Sequence, residues 1–289
     1  MKLSEIYNKK KRVMSCEIFP PKPETDIETI YETIESINDL GPDFISVTYG
    51  AGGSNSERTL EVTAAVKEKY GIEPLMHLTC VGNSTKEIQD ILDDAAVRGI
   101  ENVLALRGDI PGESGRKEPL SEDLCYASDL VEFINKSYSF SIGVAGYPEG
   151  HPEAADTKED IKYLKVKTDA GADFIITQLF FDNSYFYRYR DALSAAKIDL
   201  PVSAGIMPMF KKQLVKKMVF MCGATIPREL ENIIEKYGDS DSDMEKAGID
   251  YASLQISDLM ENGVEGIHLY TMNRSKLARK ILSHADMVR

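Results

Sequence analysis

Residues 74–107, PLMHLTCVGNSTKEIQDILDDAAVRGIENVLALR, predict a strand, a helix and a second strand in immediate succession. The apolar runs 74–79 and 102–107 have strand length, and residues 85–98 carry apolar side chains at helical spacing. Gly99 stands where the helix should end, a position that favours glycine because the chain there commonly adopts a positive φ. The stretch is therefore a βαβ unit, which builds parallel sheets.

The same unit recurs along the whole chain. Strand starts are mostly about 27 to 38 residues apart, the size of one βα unit. Eight units in 289 residues predict an α/β fold, a (β/α)8 TIM barrel that forms one domain over residues 1–289. Helical patterns at 227–237 and 242–261, joined by a polar turn at 238–243, predict extra helices between strands 7 and 8. The predicted strands are 13–19, 43–49, 74–79, 102–107, 140–145, 173–178, 201–205 and 265–270, and the clearest helices are 27–40, 57–70, 85–98 and 157–170.

The composition excludes several classes of partner. Lys and Arg number 34 against 47 Asp and Glu, which gives a formal charge of −13. An acidic chain repels polyphosphates and anionic lipids, so we expect neither nucleic-acid binding nor membrane binding. The N-terminus lacks a signal-peptide pattern and no run is long enough to span a membrane. The four cysteines include no C-x-x-C pair, which is typical of a cytoplasmic protein with reduced thiols.

Polar residues cluster where the predicted strands end, which is where barrel enzymes carry out their chemistry. Glu17, at the end of the first strand, is flanked by Cys16, Ile18 and the Phe-Pro-Pro of residues 19–21. Desolvation by apolar neighbours raises the pKa of a carboxyl group, which suits a general acid near neutral pH. On spacing alone, a Glu17 that alternates outward to solvent is an equally good interpretation.

Arg107-Gly108-Asp109 places a cation and an anion around a glycine at the end of the fourth strand. Backbone N–H groups can approach a ligand closely at such a glycine. The alternative is a surface turn that the two charges close as a salt bridge.

The histidines give no metal site, because His77 and His151 lack a second His or Cys at ligand spacing. We interpret both as packed or ligand-contacting, and His268 and His284 as structural or solvated. The sequence contains no G-x-S-x-G elbow, P-loop or post-strand G-x-G-x-x-G, so a serine nucleophile and a Rossmann dinucleotide site are disfavoured.

The strand-end strings together resemble the methylenetetrahydrofolate reductase family in its short bacterial form, which consists of the catalytic barrel alone. The resemblance is collinear from residue 15 to residue 274. One string would be weak, whereas eight in order at barrel spacing are specific. The strings are S-C-E-I-F-P-P, S-V-T-Y-G, H-L-T-C, L-R-G-D, Y-A-S-D-L, Y-P-E-G-H-P-E-A, D-A-G-A-D-F-I-I-T-Q-L-F-F-D and Y-T-M-N-R.

The resemblance implies an FAD-dependent enzyme of one-carbon metabolism. Such an enzyme reduces 5,10-methylenetetrahydrofolate to 5-methyltetrahydrofolate with hydride from NADH or NADPH, in a ping-pong cycle through the flavin. By the same resemblance, Glu17 protonates the departing nitrogen of the methylene bridge, and Asp109 stabilises the cationic iminium. Gln178 and Arg274 contact the folate. The residues that match the family's flavin contacts are Thr48, Tyr49, His77, Leu106, Arg107, Gly108, Asp109, Ala127, Tyr147, His151, Asp160 and Lys167.

One departure from the family pattern leaves the partner that stacks on the pterin or nicotinamide open. Relatives often carry a phenylalanine after strand seven, where this chain has Met218, with Phe210 as a possible substitute. Two other functions remain as alternatives. One is a folate-binding methyltransferase barrel without flavin, and the other is a reductase subunit that receives electrons from a partner protein. We also expect self-association into a homo-oligomer.

Overall fold

The computed structural model describes residues 1–22, 24–49, 56–108 and 124–287. Eight parallel strands hydrogen-bond in chain order, and the first also pairs with the eighth, which closes the sheet into a barrel. The predicted (β/α)8 TIM barrel is therefore confirmed. The strands are β1 (Val13–Ile18), β2 (Phe44–Val47), β3 (Glu73–Thr79), β4 (Asn102–Leu106), β5 (Ser141–Gly146), β6 (Phe174–Thr177), β7 (Val202–Ile206) and β8 (Gly266–Tyr270).

Helices alternate with the strands, and three of them separate β7 from β8, which confirms the predicted insertion. The polar turn between the last two of these is shorter than residues 238–243, because the Ser240 hydroxyl accepts a hydrogen bond from the Asp243 N–H (3.3 Å) and so caps a helix that begins at Asp241. The helices are α1 (Leu3–Lys9), α2 (Glu28–Asn38), α3 (Ser56–Glu68), α4 (Thr85–Val97), α5 (Ala127–Ser137), α6 (Thr157–Asp169), α7 (Asn183–Ala195), α8 (Lys212–Cys222), α9 (Arg228–Tyr237), α10 (Asp241–Glu261) and α11 (Ser275–His284).

Alternation along the strands separates two apolar layers. In β1, Met14, Cys16 and Ile18 belong to the large layer between barrel and helices, whereas Val13 belongs to a smaller cluster inside the barrel. Successive strand residues point to opposite faces. Glu17 therefore shares the inward face of Val13.

Helix α1, which the sequence analysis did not anticipate, closes the amino-terminal end of the barrel. The Tyr7 ring stacks on Phe174 with centroids 5.3 Å apart, and its hydroxyl lies 2.7 Å from Ser203 Oγ. The Leu3 N–H, at the start of the helix, donates to Asn102 Oδ1 at 2.7 Å. Because this end is filled by side chains, a ligand has access to the interior only from the carboxyl ends of the strands.

The cysteines confirm the expectation of unbridged thiols. None of the four forms a disulfide; Cys16 and Cys80 are buried, and Cys125 and Cys222 are partly exposed. Over the described ranges, no helix combines the length and the apolar character that crossing a membrane requires.

Candidate active site

Four polar side chains from four strands meet at the carboxyl end of the barrel: Glu17, Ser46, His77 and His268, here called the Glu17 cluster. Glu17 Oε2 lies 3.5 Å from His77 Nε2 and 3.4 Å from His268 Nε2. Ser46 Oγ lies 3.4 Å from the same His268 nitrogen. The Glu17 side chain is only 18% exposed. The interpretation of Glu17 as an outward, solvated residue is therefore wrong.

The cluster also overturns the expected pKa of Glu17. Burial by itself raises the pKa of this carboxyl group, but hydrogen bonds from His268 and Ser46, together with the electrostatic effect of the two imidazoles, hold the pKa below its usual value. The sequence neighbours are apolar, yet Cys16 and Ile18 face away from the cluster, toward the helices. The side chains that surround the carboxylate come from other strands, and they are polar.

His77 faces the cluster as a neutral imidazole. Burial lowers the pKa of His77 to about 4, and the Glu17 carboxylate only partly opposes that shift. Among the described residues no hydrogen-bond partner reaches its Nε2, although the atom is buried. A buried polar atom without a partner costs free energy unless a ligand or water satisfies it. His77 therefore offers this nitrogen to a molecule bound in the mouth of the barrel.

His268, which the sequence analysis interpreted as structural or solvated, has polar neighbours at both ring nitrogens. It is fully buried, and the Ser15 hydroxyl lies 2.7 Å from its Nδ1. The register places Ser15 directly beside His268 and Glu17 beside Tyr270 across the β1–β8 seam. The alternation along β8 could have indicated this position of His268. Gly266, His268 and Tyr270 alternate with apolar residues, so the three share one face of the sheet.

A second group of residues, Tyr147, His151, Asp160 and Lys167, forms around the end of β5. The Tyr147 and His151 rings meet edge to face with centroids 4.7 Å apart. Burial raises the pKa of Asp160, while Lys167 and a hydrogen bond from the His151 backbone oppose that shift. The Lys167 ammonium donates to the Ala145 carbonyl at 2.6 Å. We call these four residues the Lys167 group.

Arg107 follows β4 and forms a two-point ion pair with Glu153. The turn closure with Asp109, the alternative left open by the sequence, lies outside the described residues. The next residue, Gly108, has a φ of 88°, and a Cβ there would lie 2.9 Å from Thr79 Cβ. Only glycine adopts this conformation without a clash. The turn beside Arg107 therefore requires glycine, because Thr79 packs against it.

The remaining predicted flavin contacts lie at the same end of the barrel. Thr48 and Tyr49 follow β2, and the Tyr49 hydroxyl donates to Asn83 Oδ1 at 3.2 Å. Leu106 is the last residue of β4, and Ala127 is the first residue of α5. All four are partly exposed, as expected for walls of an open cleft.

The predicted folate contacts are already held by protein groups. Gln178 follows β6, its N–H donates to the Gly146 carbonyl (2.7 Å), and its Oε1 accepts from the Leu179 N–H (2.8 Å). This leaves the Gln178 amide NH2 as the donor available to a ligand. Arg274 donates to Glu245 Oε2 at 2.9 Å, and its guanidinium lies 4.2 Å from the centre of the Phe210 ring.

That contact changes the interpretation of the two candidate stacking residues. The face of Phe210 is covered by Arg274, and the residue is only 9% exposed. Met218 is partly buried against the apolar cluster formed by α8, α9 and α10. In the conformation described, Phe210 serves as a platform for the Arg274 cation.

Comparison with known proteins gives this site its family. A model of the family described as methylenetetrahydrofolate reductase matches residues 2–286. The chain belongs to the methylenetetrahydrofolate reductase family. This confirms the resemblance of the strand-end strings. The 5,10-methylenetetrahydrofolate reductase of Escherichia coli is 36% identical over 268 residues, which cover 93% of this chain and 88% of that protein.

Longer relatives match over the same barrel. Methylenetetrahydrofolate reductase (NADH) 1 of Arabidopsis thaliana is 34% identical, with 99% of this chain and 50% of that protein covered. The chain thus spans about half the length of these plant relatives. A solved structure of an uncharacterized protein from Clostridium thermocellum, which binds two copies of 5-methyl-5,6,7,8-tetrahydrofolic acid, shares the fold with a TM-score of 0.61 at 15% identity, with 99% of both chains covered.

The described ranges contain no group of three or more His, Cys, Asp or Glu side chains that could hold a metal ion.

Proposed function

We propose that this protein reduces 5,10-methylenetetrahydrofolate to 5-methyltetrahydrofolate, with hydride from NADH or NADPH transferred through FAD. The observation that carries the proposal is the inward-facing Glu17 carboxylate, held among Ser46, His77 and His268 at the open end of the barrel in a chain of this family. A partly buried carboxyl group at this position can protonate a substrate nitrogen.

The described residues fit a flavin dinucleotide. Lys167 and Arg107 supply cations near the strand ends of an acidic chain, as a pyrophosphate requires. The partially positive amino-terminal end of α5, at Ala127, favours the same charge. The His77 Nε2 atom, which lacks a hydrogen-bond partner among the described residues, provides a polar contact close to the strand ends. When bound, FAD accepts hydride from the nicotinamide and gives it to the folate.

Glu17 performs the acid step. Its carboxyl proton passes to the departing nitrogen of the methylene bridge, the carbon–nitrogen bond breaks, and the remaining nitrogen forms an iminium that accepts hydride. The carboxylate that remains is stabilised by the hydrogen bond from His268 and regains its proton from solvent before the next turnover. Since the pKa of Glu17 is low in the ligand-free site, the acid form depends on further desolvation by the bound ligands.

The other predicted residues hold the substrate. Asp109 would supply a negative charge beside the iminium. The amide of Gln178 donates to the pterin, and Arg274, fixed by Glu245 and Phe210, meets the carboxylates of the glutamate tail. Residues Asp109 and Gln178 thus act on the reacting ring, whereas Arg274 acts on the remote end of the folate.

The test is an absorption spectrum of the purified protein, followed by anaerobic addition of NADH and then NADPH, and finally of methylenetetrahydrofolate. We expect a flavin spectrum that one nicotinamide bleaches and the folate restores. A flavin that neither nicotinamide bleaches would favour electron delivery by a partner protein. A protein that stays colourless after incubation with FAD would overturn the proposal in favour of a methyltransferase barrel.

A further inference from the structure

His268 is a fully buried imidazole whose two nitrogens both have polar neighbours. Nδ1 lies 2.7 Å from Ser15 Oγ, and Nε2 lies 3.4 Å from Glu17 Oε2 and from Ser46 Oγ. A neutral imidazole donates from one nitrogen and accepts at the other. An ionised carboxylate only accepts, so Nε2 must carry the hydrogen that points at Glu17. Nδ1 then accepts from the Ser15 hydroxyl, which lies closer to this nitrogen (2.7 Å) than to the Ile267 carbonyl oxygen (3.3 Å). Glu17 and Ser15 therefore favour the same tautomer.

The ring of His268 is also held in orientation. It stacks on Phe44 with centroids 6.2 Å apart and an interplanar angle of 24°. Tyr270 meets it edge to face at 5.3 Å, and the Tyr270 hydroxyl is itself anchored to the Thr177 carbonyl at 2.7 Å. Rotation of the imidazole would require displacement of these two rings. The His268 Nε2–H that faces Glu17 is therefore determined by the tautomer, and its direction is held by the two packed rings.

Both histidine contacts fall on the same oxygen of Glu17, Oε2. We propose that His268, whose tautomer Glu17 and Ser15 favour together, is a positioning residue that holds Glu17 Oε2 and thereby leaves Oε1 to carry the proton that is transferred to the folate. This inference rests on the proposed role of Glu17 as the proton donor. The hydrogen bond is made to the ionised and the protonated carboxyl group alike, and it strengthens when the proton leaves.

A consequence is that His268 sets the pH range of the acid step. The groups that face Glu17 from the described strands are Ser46 on β2, neutral His77 on β3, and His268 and Tyr270 on β8. Removal of the His268 donor leaves the Glu17 carboxylate less stabilised, so its pKa rises. The protonated form of Glu17 then persists to higher pH. The rate of the folate half-reaction should therefore also begin to fall at a higher pH.

Three variants separate positioning from packing. His268→Phe keeps an aromatic ring but no donor, and His268→Gln keeps an amide donor at the position of Nε2. Ser15→Ala removes one of the two groups that favour the tautomer. We expect His268→Phe to slow flavin oxidation by methylenetetrahydrofolate about tenfold, less than loss of the acid itself, and to move its alkaline limb to higher pH. Flavin reduction by the nicotinamide should stay unchanged, and His268→Gln should restore most of the rate and the parent pH profile.

A second measurement needs neither flavin nor turnover. The chain has four histidines, so long-range proton–nitrogen NMR spectra of the folded protein can assign each tautomer. We expect His268 to carry hydrogen on Nε2 in the parent, and we expect this preference to weaken in Ser15→Ala, where Glu17 alone favours it. Hydrogen on Nδ1 in the parent would overturn the inference even in an active enzyme, and so would an unchanged pH profile in His268→Phe. If folate reduction were absent from the parent, the proposed function would fail. The tautomer measured by NMR would still show whether His268 donates a hydrogen bond to Glu17.

Discussion

Arg107 and Glu153 form a two-point ion pair, with guanidinium nitrogens 2.5 and 2.7 Å from the two carboxylate oxygens. This parallel geometry is the one that a guanidinium also offers to a phosphate. Glu153 therefore occupies the surface of Arg107 that a flavin pyrophosphate would use. The Glu153 side chain is 58% exposed, so it can leave at a small cost in free energy.

We predict that Glu153→Gln binds FAD up to about fivefold more tightly, since an exposed ion pair contributes up to about 1 kcal/mol that the ligand no longer has to displace. Fluorescence titration of the apoprotein with FAD measures the dissociation constant. Glu132→Gln removes the same charge from an exposed pair with Lys136 on α5 and serves as the control. Weaker binding in Glu153→Gln would mean that Glu153 orients Arg107 and does not compete for it.

Glu17→Gln keeps the size of the side chain and removes the transferable proton. We predict that the flavin still binds and is still reduced by the nicotinamide, while its oxidation by methylenetetrahydrofolate slows by about 10²- to 10⁴-fold, the usual contribution of a general acid. Stopped-flow absorbance follows the two half-reactions separately, so the first is an internal control for folding. Unimpaired folate reduction would remove Glu17 from the acid step.

Asp109→Asn tests the second carboxylate, a prediction that rests on the sequence because Asp109 lies outside the described residues. Loss of a negative charge beside a developing cation destabilises the transition state. We therefore expect a folded variant that binds flavin and is slower in the folate half-reaction alone. Equal rates in the variant and the parent protein would exclude Asp109 from the mechanism.

Arg274→Ala should weaken folate binding about tenfold, the effect of losing one hydrogen bond to a charged group. The rate of flavin reduction by the nicotinamide should be unaffected. Arg279→Ala is a matched control, because Arg279 lies on α11, which begins directly after Arg274, and pairs with Asp39. A similar loss in both variants, measured as the KM for folates with and without the glutamate tail, would argue against a tail contact by Arg274.

The barrel could be predicted from the sequence because its signals are local. Apolar runs of strand length recur at one spacing, and glycines such as Gly41 and Gly263 mark helix exits, where the structure has φ values of 69° and 76°. Helix α1 could not be predicted in this way, because it is short and its role depends on Tyr7 and Ser203, which are far apart in the chain.

The site was only partly predictable for the same reason. Glu17 stood out within its own string, but the environment that sets its pKa comes from Ser46, His77 and His268 on three other strands. The sequence neighbours predicted a raised pKa, and the spatial neighbours lower it. Likewise, the ion pairs of Arg107 with Glu153 and of Arg274 with Glu245 join residues that no local pattern connects.

We predict that Lys167 makes the affinity for FAD depend on pH. Burial lowers the pKa of Lys167 to about 8, and the Asp160 carboxylate only partly opposes that shift. Below this pKa the ammonium is charged and attracts the pyrophosphate. As the pH rises through it, the free protein loses the charge, while a bound anion holds the proton more tightly. The FAD dissociation constant should therefore be flat below about pH 8 and should rise above it until the lysine of the complex also titrates.

Two variants test this dependence. Lys167→Arg places a cation that does not titrate in this range, so its affinity should not change at that pH, and Lys167→Met should bind weakly at every pH. Titrations of the apoprotein with FAD between pH 6 and about 10 measure all three curves and span the Lys167 pKa of about 8. A parent curve that stays flat through this range, or one that Lys167→Met reproduces, would show that another group controls the binding.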